Sequence, residues 1–512
     1  MKITLKDIFI GKANGLEEAE DKQYDNLFYT GNQKYRQLAE DRTKFIITGR
    51  KGTGKTILAK YFEKEMNKKN IFTKTLTDRD IILKSFLESG KIYYERQEAE
   101  LFVEYTLLCA LASAILYNKR QFVKFSNCKK VIKILRNLHF LKKVVEKRFE
   151  SENYIKDKFV LSRNIKNSSK INGTIKEKGG TIEEIHENGI GYEEQYIKSP
   201  YYYLIEELRK RLIYLLKLVP VNIVIDDLDE IAVKIDGNKS FIQFLIVFIN
   251  KVHELNVEFR HNSINGRIII LLRSDIIQIL NSESSNLNKI MSDSEIRLNW
   301  IKKIKSEDLH PLMDLLATKI KNSNSELVNF TNKEIVDRFF PQTIGGVPVM
   351  DHMLKFSFGR PRDIINMLNI IKDLHPEAEK FEASFFKETQ LEYSTKFMDE
   401  LRNEMASHFE AEKTQECFDI LKNIGRKTFW MSQVKEVFEK MRGQIKCFDN
   451  EKDFINVAYE FGIIGNVWLN GNNYNSEKKY NYSWRYREDG FERPDYDKKF
   501  SVHLALRKKL LL

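Results

Sequence analysis

The run GRKGTGKT, Gly49 to Thr56, fits the pattern GxxxxGK[ST] in full. Gly49, Gly52 and Gly54 let the backbone turn tightly enough for successive N–H groups to converge on phosphate oxygens. A helix starting at the end of such a turn adds the partial positive charge of its N-terminus. Lys55 is expected to reach the β- and γ-phosphates of a nucleoside triphosphate, and Thr56 to offer a hydroxyl to Mg²⁺. Thr53 completes the loop, while Arg50 and Lys51 read as solvated cations beside it. Gly49, Arg50, Lys51, Gly52, Thr53, Gly54, Lys55 and Thr56 together are the expected binding loop, with ATP and Mg²⁺ as the expected ligands.

The second chemical cluster is VNIVIDDLDE, Val221 to Glu230, an apolar run ending in four carboxylates within five positions. Carboxylates placed together repel, and a cation or polarised water among them relieves that repulsion. Asp226, at the tip of the run, is the expected magnesium carboxylate. Asp227, Asp229 and Glu230 are each candidates for orienting and activating an attacking water. RIIILLRSD, Arg267 to Asp275, is the next apolar run, with Arg273 emerging where a γ-phosphate would lie and Asp275 as an alternative partner. In FGRPRD, Phe358 to Asp363, Pro361 suits a first helical turn. Arg360 or Arg362 would then stand at a helix start, where a cation opposes the helix dipole and needs an anionic partner.

These residues need a scaffold that brings strand ends together. Lys44–Thr48 reads as a strand and Ile57–Met66 as the helix after the loop. Ile71–Leu76, Val221–Ile225 and Arg267–Leu272 read as further strands, with Ile296–Trp300 closing the set. Helices are expected at Gln97–Tyr117, Tyr202–Leu218 and Phe241–Leu255, and strands alternating with helices imply a parallel sheet. Residues 118–200 read as an insertion, a basic helix followed by small hairpins. Asp308–Ile320, Lys333–Phe340 and Asp363–Leu374 form a helical segment. Thr414–Ile424, Met431–Met441 and Glu451–Phe461, followed by strand-like Ile463–Leu469 and Tyr480–Arg487, suggest a winged helix.

The expected fold is therefore α/β: a parallel-sheet P-loop NTPase core over residues 44–300, a helical lid over 301–396 and a winged-helix-like domain over 397–512. Residues 1–43 are expected to pack on the nucleotide site. A chain of 512 residues exceeds one ordinary hydrophobic core, which agrees with several domains. Hydrophobic residues at 42% and charged residues at 31% exclude a disordered chain. The four cysteines stand far apart without a CxxC pair, and no apolar signal-peptide core opens the sequence, so a reducing cytoplasm is expected. The scattered histidines show no metal-ligand spacing. Leu101–Tyr117 is apolar, yet it carries Glu104 and is short for a bilayer, so it reads as a buried helix with no membrane contact.

The P-loop, the strand ending DDLDE, an arginine at the tip of the following strand and the GRPRD turn resemble the additional-strand P-loop ATPases. Within that class the chain is similar to the STAND, KAP and origin-recognition neighbourhood of the AAA+ group, and to a prokaryotic ATPase family with GRKGTGKT, LRSD and GRPRD signatures. The resemblance covers roughly residues 1–400. It implies Asp226 for magnesium, Arg273 as sensor 1 and Arg362 as the sensor 2 arginine of a lid. The STAND pattern D-x-L-D-E matches Asp226, Asp229 and Glu230, whereas KAP-like proteins carry DDLDR, which sets Glu230 apart. Asp226–Asp227 and Arg273 stand where typical motors have Asp–Glu and an asparagine, a departure that points to a switch. Relatives in this neighbourhood act in bacterial conflict, which implies antiphage defence.

The net charge of +12 favours an acidic partner. Lys119 to Arg148 interleaves basic residues with Phe122, Phe125, Ile132, Ile134, Leu135 and Leu138, the pattern of an amphipathic basic helix that would bind phosphate backbones. The presumed wing carries Tyr480, Tyr482, Trp484, Arg485, Tyr486 and Arg487, which suit stacking on nucleic acid and equally an ordinary hairpin. A protein effector or a second copy of the chain is the other expected partner.

Overall fold

Runs this rich in β-branched and apolar residues are poorly suited to a half-solvated sheet, and VNIVI and RIIILLR are buried along their whole length, Asn222, Arg267 and Arg273 included. They form the middle of a five-stranded parallel sheet built from β1 (Ile46–Gly49), β2 (Phe72–Leu76), β5 (Val221–Ile225), β6 (Arg267–Arg273) and β7 (Glu295–Arg297), in the order β2-β5-β6-β1-β7. A short antiparallel pair, β3 (Glu177–Lys178) and β4 (Thr181–Ile182), lies within residues 118–200, where hairpins are expected. The computed structural model describes residues 3–21, 24–77, 96–119, 130–146, 177–178, 181–182, 201–226, 228, 239–301, 308–469, 480–487 and 490–512. The chain is thus mixed α/β, with a parallel sheet and many helices.

The helix Lys55–Lys68 follows the glycine-rich turn and buries Leu58, Ala59, Phe62 and Met66, one face at helical spacing. The apolar helix Arg96–Tyr117 is a core element, as its composition suggests: 78% of its most apolar window is buried within the protein. Glu104, within its apolar stretch, is buried and paired with Arg209. Residues 130–146 form a helix that turns Ile134, Leu138, Leu141 and Val144 inward and leaves Lys130, Lys133, Arg136, Lys142 and Lys143 exposed.

Beyond the sheet a second apolar core runs from the N-terminal residues Ile3, Leu5, Ile8 and Ile10 through the helical segment to the C-terminus. It is built on the helices Pro311–Ser323, Asn332–Phe339, Val349–Lys355 and Pro361–Leu374, with a small ribbon of β8 (Thr343–Ile344) and β9 (Val347–Pro348). The helix Gln390–Met405 crosses position 396, so helical segment and C-terminal module share one core. That module holds the helices Ala411–Ile424, Met431–Lys440 and Glu451–Glu460. Against them lies an antiparallel sheet of β10 (Thr428–Phe429), β11 (Ile464–Leu469), β12 (Tyr480–Ser483) and β13 (Lys499–Val502), in the order β10-β13-β11-β12. The strand expected over Tyr480–Arg487 stops at Ser483. Trp484 is buried and Tyr486 packs on Phe358 and His503, leaving Tyr480 and Tyr482 as the exposed rings of that expected wing.

Candidate functional site

In a parallel sheet the carboxyl ends of the strands share one edge, and ligands bind beyond that edge. Gly49 at the end of β1 lies in register with Arg273 at the end of β6, and Asp226 follows directly on β5. β6 stands between β1 and β5, so the acidic tip and the glycine-rich turn are not on adjacent strands. The helix after the turn closes the gap: the Thr56 hydroxyl donates to the Asp226 carboxylate at 2.7 Å. Asp227, Asp229 and Glu230, the candidates for activating water, lie outside the described residues.

The turn itself has the backbone its glycines permit. Gly52 and Gly54 adopt φ of +83° and +96°, a region that a side chain disfavours. Lys55 folds back and donates to the carbonyl oxygens of Gly49 at 3.0 Å and Arg50 at 3.3 Å. The Thr53 hydroxyl donates to the Arg50 carbonyl, and the buried Trp300 indole N–H donates to the Thr53 carbonyl at 2.9 Å. These bonds hold the turn open toward a cavity of about 330 Å³. Lys51, Gly52, Gly54, Lys55, Thr56, Asp226, Arg273 and Arg362 all line it. Its far wall is the N-terminal stretch Lys12 to Leu16, with Pro361 and Ile365 from the helix Pro361–Leu374. A volume of that order is within the range of small-ligand sites.

The two arginines expected at a phosphate reach this cavity by different routes. Arg362 approaches from the helix Pro361–Leu374, its backbone N–H facing the Gly52 carbonyl at 3.4 Å. Its guanidinium donates to the Ala13 carbonyl and to Glu400. Arg273 is 2% exposed and holds Asp275 through two bonds of 3.1 Å and 2.6 Å, with a third to Ser407. Burial pushes the Asp275 carboxyl up, but a hydrogen bond with His408 and the charge of Arg273 outweigh it, holding the carboxyl far below its ordinary range. The Arg273–Asp275 pairing foreseen as the alternative is the one present, in a buried setting.

Arg50 departs from expectation. Its guanidinium is not solvated: it donates to the buried Glu404 carboxylate at 2.8 Å and lies over the Phe358 ring at 4.7 Å. Glu404 also takes Arg360, which is itself buried, bonded to Asp363 and donating to the Lys51 carbonyl. Burial works against the Glu404 carboxylate, and the charges of Arg50, Arg360 and Arg273 outweigh it, holding its pKa at about 2. Arg360 therefore answers the dipole argument through Asp363, and Arg362 is the arginine left facing the cavity. Glu404, Ser407, Asp275, His408 and Lys12 to Leu16 complete the surroundings. No motif marks Glu404, His408 or Ser407; the acid after Arg273 was the single legible signal.

A second cavity of about 800 Å³ lies across the loop, against Gly49, Arg50 and Thr53, and extends to the C-terminal module. Lys55, Thr56 and Asp226 do not line it, so the chemistry converges on the smaller one. Among known families, residues 310–402 match the FunZ-associated C-terminal helical domain. The match covers the helical segment that supplies Arg360, Arg362 and Glu400, and leaves the parallel sheet outside it. No curated protein matches the chain.

Proposed function

We propose that the chain is an ATP-binding and ATP-hydrolysing switch, with a P-loop NTPase sheet, the helical segment as its lid and the C-terminal module as a winged-helix-like unit. The observation that carries this reading is the 2.7 Å bond between Thr56 and Asp226 beside Lys55, at the carboxyl edge of a parallel sheet. A hydroxyl and a carboxylate held together are hard oxygen donors of the kind Mg²⁺ takes in company with water and phosphate. Thr56 and Asp226 would hold the ion, which would supply charge neutralisation as the phosphates develop charge.

The remaining roles belong to the chain. The ammonium of Lys55 exchanges two backbone carbonyls for phosphate oxygens, a charged partner that a cation prefers. Arg362 lies on the lid side and Arg273 on the sheet side of one cavity, so a γ-phosphate between them would draw lid and sheet together. Arg273 must give up part of its hold on Asp275 to take part, and that exchange of partners is the bistable element a switch requires. Asp227, Asp229 and Glu230 remain the proposed acids for orienting water. A place in antiphage defence, a protein effector and self-association rest on the resemblance alone.

A second reading, a DNA-dependent loader or remodeller, is favoured by the exposed basic face of helix 130–146. One experiment separates the readings: turnover of Mg-ATP with and without duplex DNA, at low and high salt, with mass determination in ATP and in ADP. The switch predicts DNA-independent turnover and a mass or shape that follows the nucleotide. Turnover stimulated by DNA and suppressed steeply by salt selects the second reading. Tight binding without turnover leaves a nucleotide-held scaffold, and absence of binding ends all three.

A further inference from the structure

We infer that Glu404 is a positioning residue for the Gly49–Thr56 loop, clamping its outer side to the C-terminal module, so that nucleotide binding and module docking form one coupled equilibrium. This rests on the nucleotide reading above.

Glu404 stands near the end of the helix Gln390–Met405 and is 2% exposed. One carboxylate oxygen accepts from Arg50 at 3.2 Å and 2.8 Å, and the other accepts from Arg360 at 2.9 Å. Both arginines grip the loop. Arg360 donates to the Lys51 carbonyl at 2.9 Å, and Arg50 is itself a loop residue. The backbone carbonyl of Arg50 accepts both Lys55 and the Thr53 hydroxyl. A phosphate entering the smaller cavity competes with that carbonyl for Lys55. The segment that Glu404 holds is therefore the segment that changes partners when an anion arrives.

The other end of the clamp is the C-terminal module. The Arg50 guanidinium lies 4.7 Å from the Phe358 ring centre and 5.9 Å from that of Tyr486, which follows β12. Phe358 and Tyr486 both pack on His503, next to β13. Arg360 is shared between Glu404 and Asp363, so two guanidiniums balance two carboxylates, and moving Arg50 away leaves the buried cluster one positive charge short. By linkage, whatever the nucleotide does to the clamp, displacement of the module does to nucleotide affinity by the same factor.

The test uses the full chain as wild type, Glu404→Gln, Arg50→Met and the double variant. Mg-ATP affinity is measured by titration calorimetry, and amide hydrogen exchange is followed over residues 484–487 with and without nucleotide. Each single variant is expected to weaken binding by about tenfold and the double variant no further than Glu404→Gln alone, since both singles break the Arg50–Glu404 contact. Exchange over 484–487 should rise in both ligand-free singles. Multiplying affinity losses, or wild-type affinity in the singles, would overturn the inference. If Glu404→Gln fails to fold, Arg50→Met decides alone, because it keeps the Glu404–Arg360 pair. A wild-type chain that binds no Mg-ATP removes the nucleotide reading; unchanged exchange in ligand-free Arg50→Met separately removes the clamp.

Discussion

Two glycines of the loop share a backbone conformation and differ in surroundings, so replacing each with alanine separates backbone strain from crowding. Gly52 has φ of +83° and Gly54 φ of +96°. A β-carbon in that region costs about 1–2 kcal/mol at either position. At Gly54 the added carbon meets nothing within 4 Å. At Gly52 it would stand 3.0 Å from the Arg362 β-carbon and 3.1 Å from its δ-carbon. The β-carbon of Arg362 belongs to the first turn of a helix and cannot rotate away, so the helix start must shift. Overpacking of this kind costs a further 1–3 kcal/mol, roughly. Gly52→Ala is therefore expected to lose about 2–5 kcal/mol against about 1–2 for Gly54→Ala. The assay is ligand-free: denaturant unfolding of both variants, with hydrogen exchange over residues 49–56 and 358–365. Gly52→Ala should unfold at lower denaturant and raise exchange in both segments, and Gly54→Ala in the first alone. Equal behaviour, or a larger loss at Gly54, would refute the packing of Arg362 on the loop.

Lys319 and Glu18 form an ion pair with both side chains buried, and Glu18 also accepts from the Lys12 backbone N–H, fixing the N-terminal wall of the smaller cavity. Lys319→Met leaves that carboxylate uncompensated and should cost about 3–5 kcal/mol by thermal or denaturant unfolding, with weaker Mg-ATP binding; a change under about 1 kcal/mol would contradict it. Acid should loosen the clamp in two stages. Burial first, and Arg487 second, push His503 down from 6.5 to about 3, so its folded form is neutral. The unfolded chain binds the extra proton, and the stability it contributes is complete above pH 6.5 and lost as pH falls from there toward about 3. Glu404 is held down from 4.5 to about 2, so its contribution is complete above pH 4.5 and lost as pH falls toward about 2. Melting temperature measured from pH 8 to 4 should begin to decline near 6.5 and steepen below 4.5, and His503→Asn should reduce the first decline, to which His310, pushed down to about 4 by burial, also contributes; an unchanged profile in that variant would place the sensitivity elsewhere.

The candidate site was legible where it is local. Loop glycines, lysine and threonine stand within eight consecutive positions, and the buried strands VNIVI and RIIILLR announce themselves by composition. Helix positions followed from periodicity to within a few residues, as at Pro361–Leu374 and Glu451–Glu460. What escaped is non-local. Arg50 reads as solvated because arginine beside glycine usually is, and only folding brings Glu404 to it from 354 residues away. The shared apolar core of helical segment and C-terminal module has no marker in the chain, since both are helical on either side of position 396. β10 is two residues long and pairs with β13 across more than seventy positions, beyond any local pattern. Trp484 and Tyr486 read as a stacking surface because aromatic content does not say which way a ring turns; the end of β12 at Ser483 turns both inward.

The measurement that bears most directly on the account is a titration of ATP into wild type, Lys55→Ala and Asp226→Asn, each with and without Mg²⁺. Thr56 and Asp226 standing 2.7 Å apart at the loop predict tight, Mg²⁺-enhanced binding in wild type, loss of most affinity in Lys55→Ala, and loss of the Mg²⁺ enhancement in Asp226→Asn. Binding that is absent from wild type, or that survives Lys55→Ala with the same dependence on Mg²⁺, would contradict it.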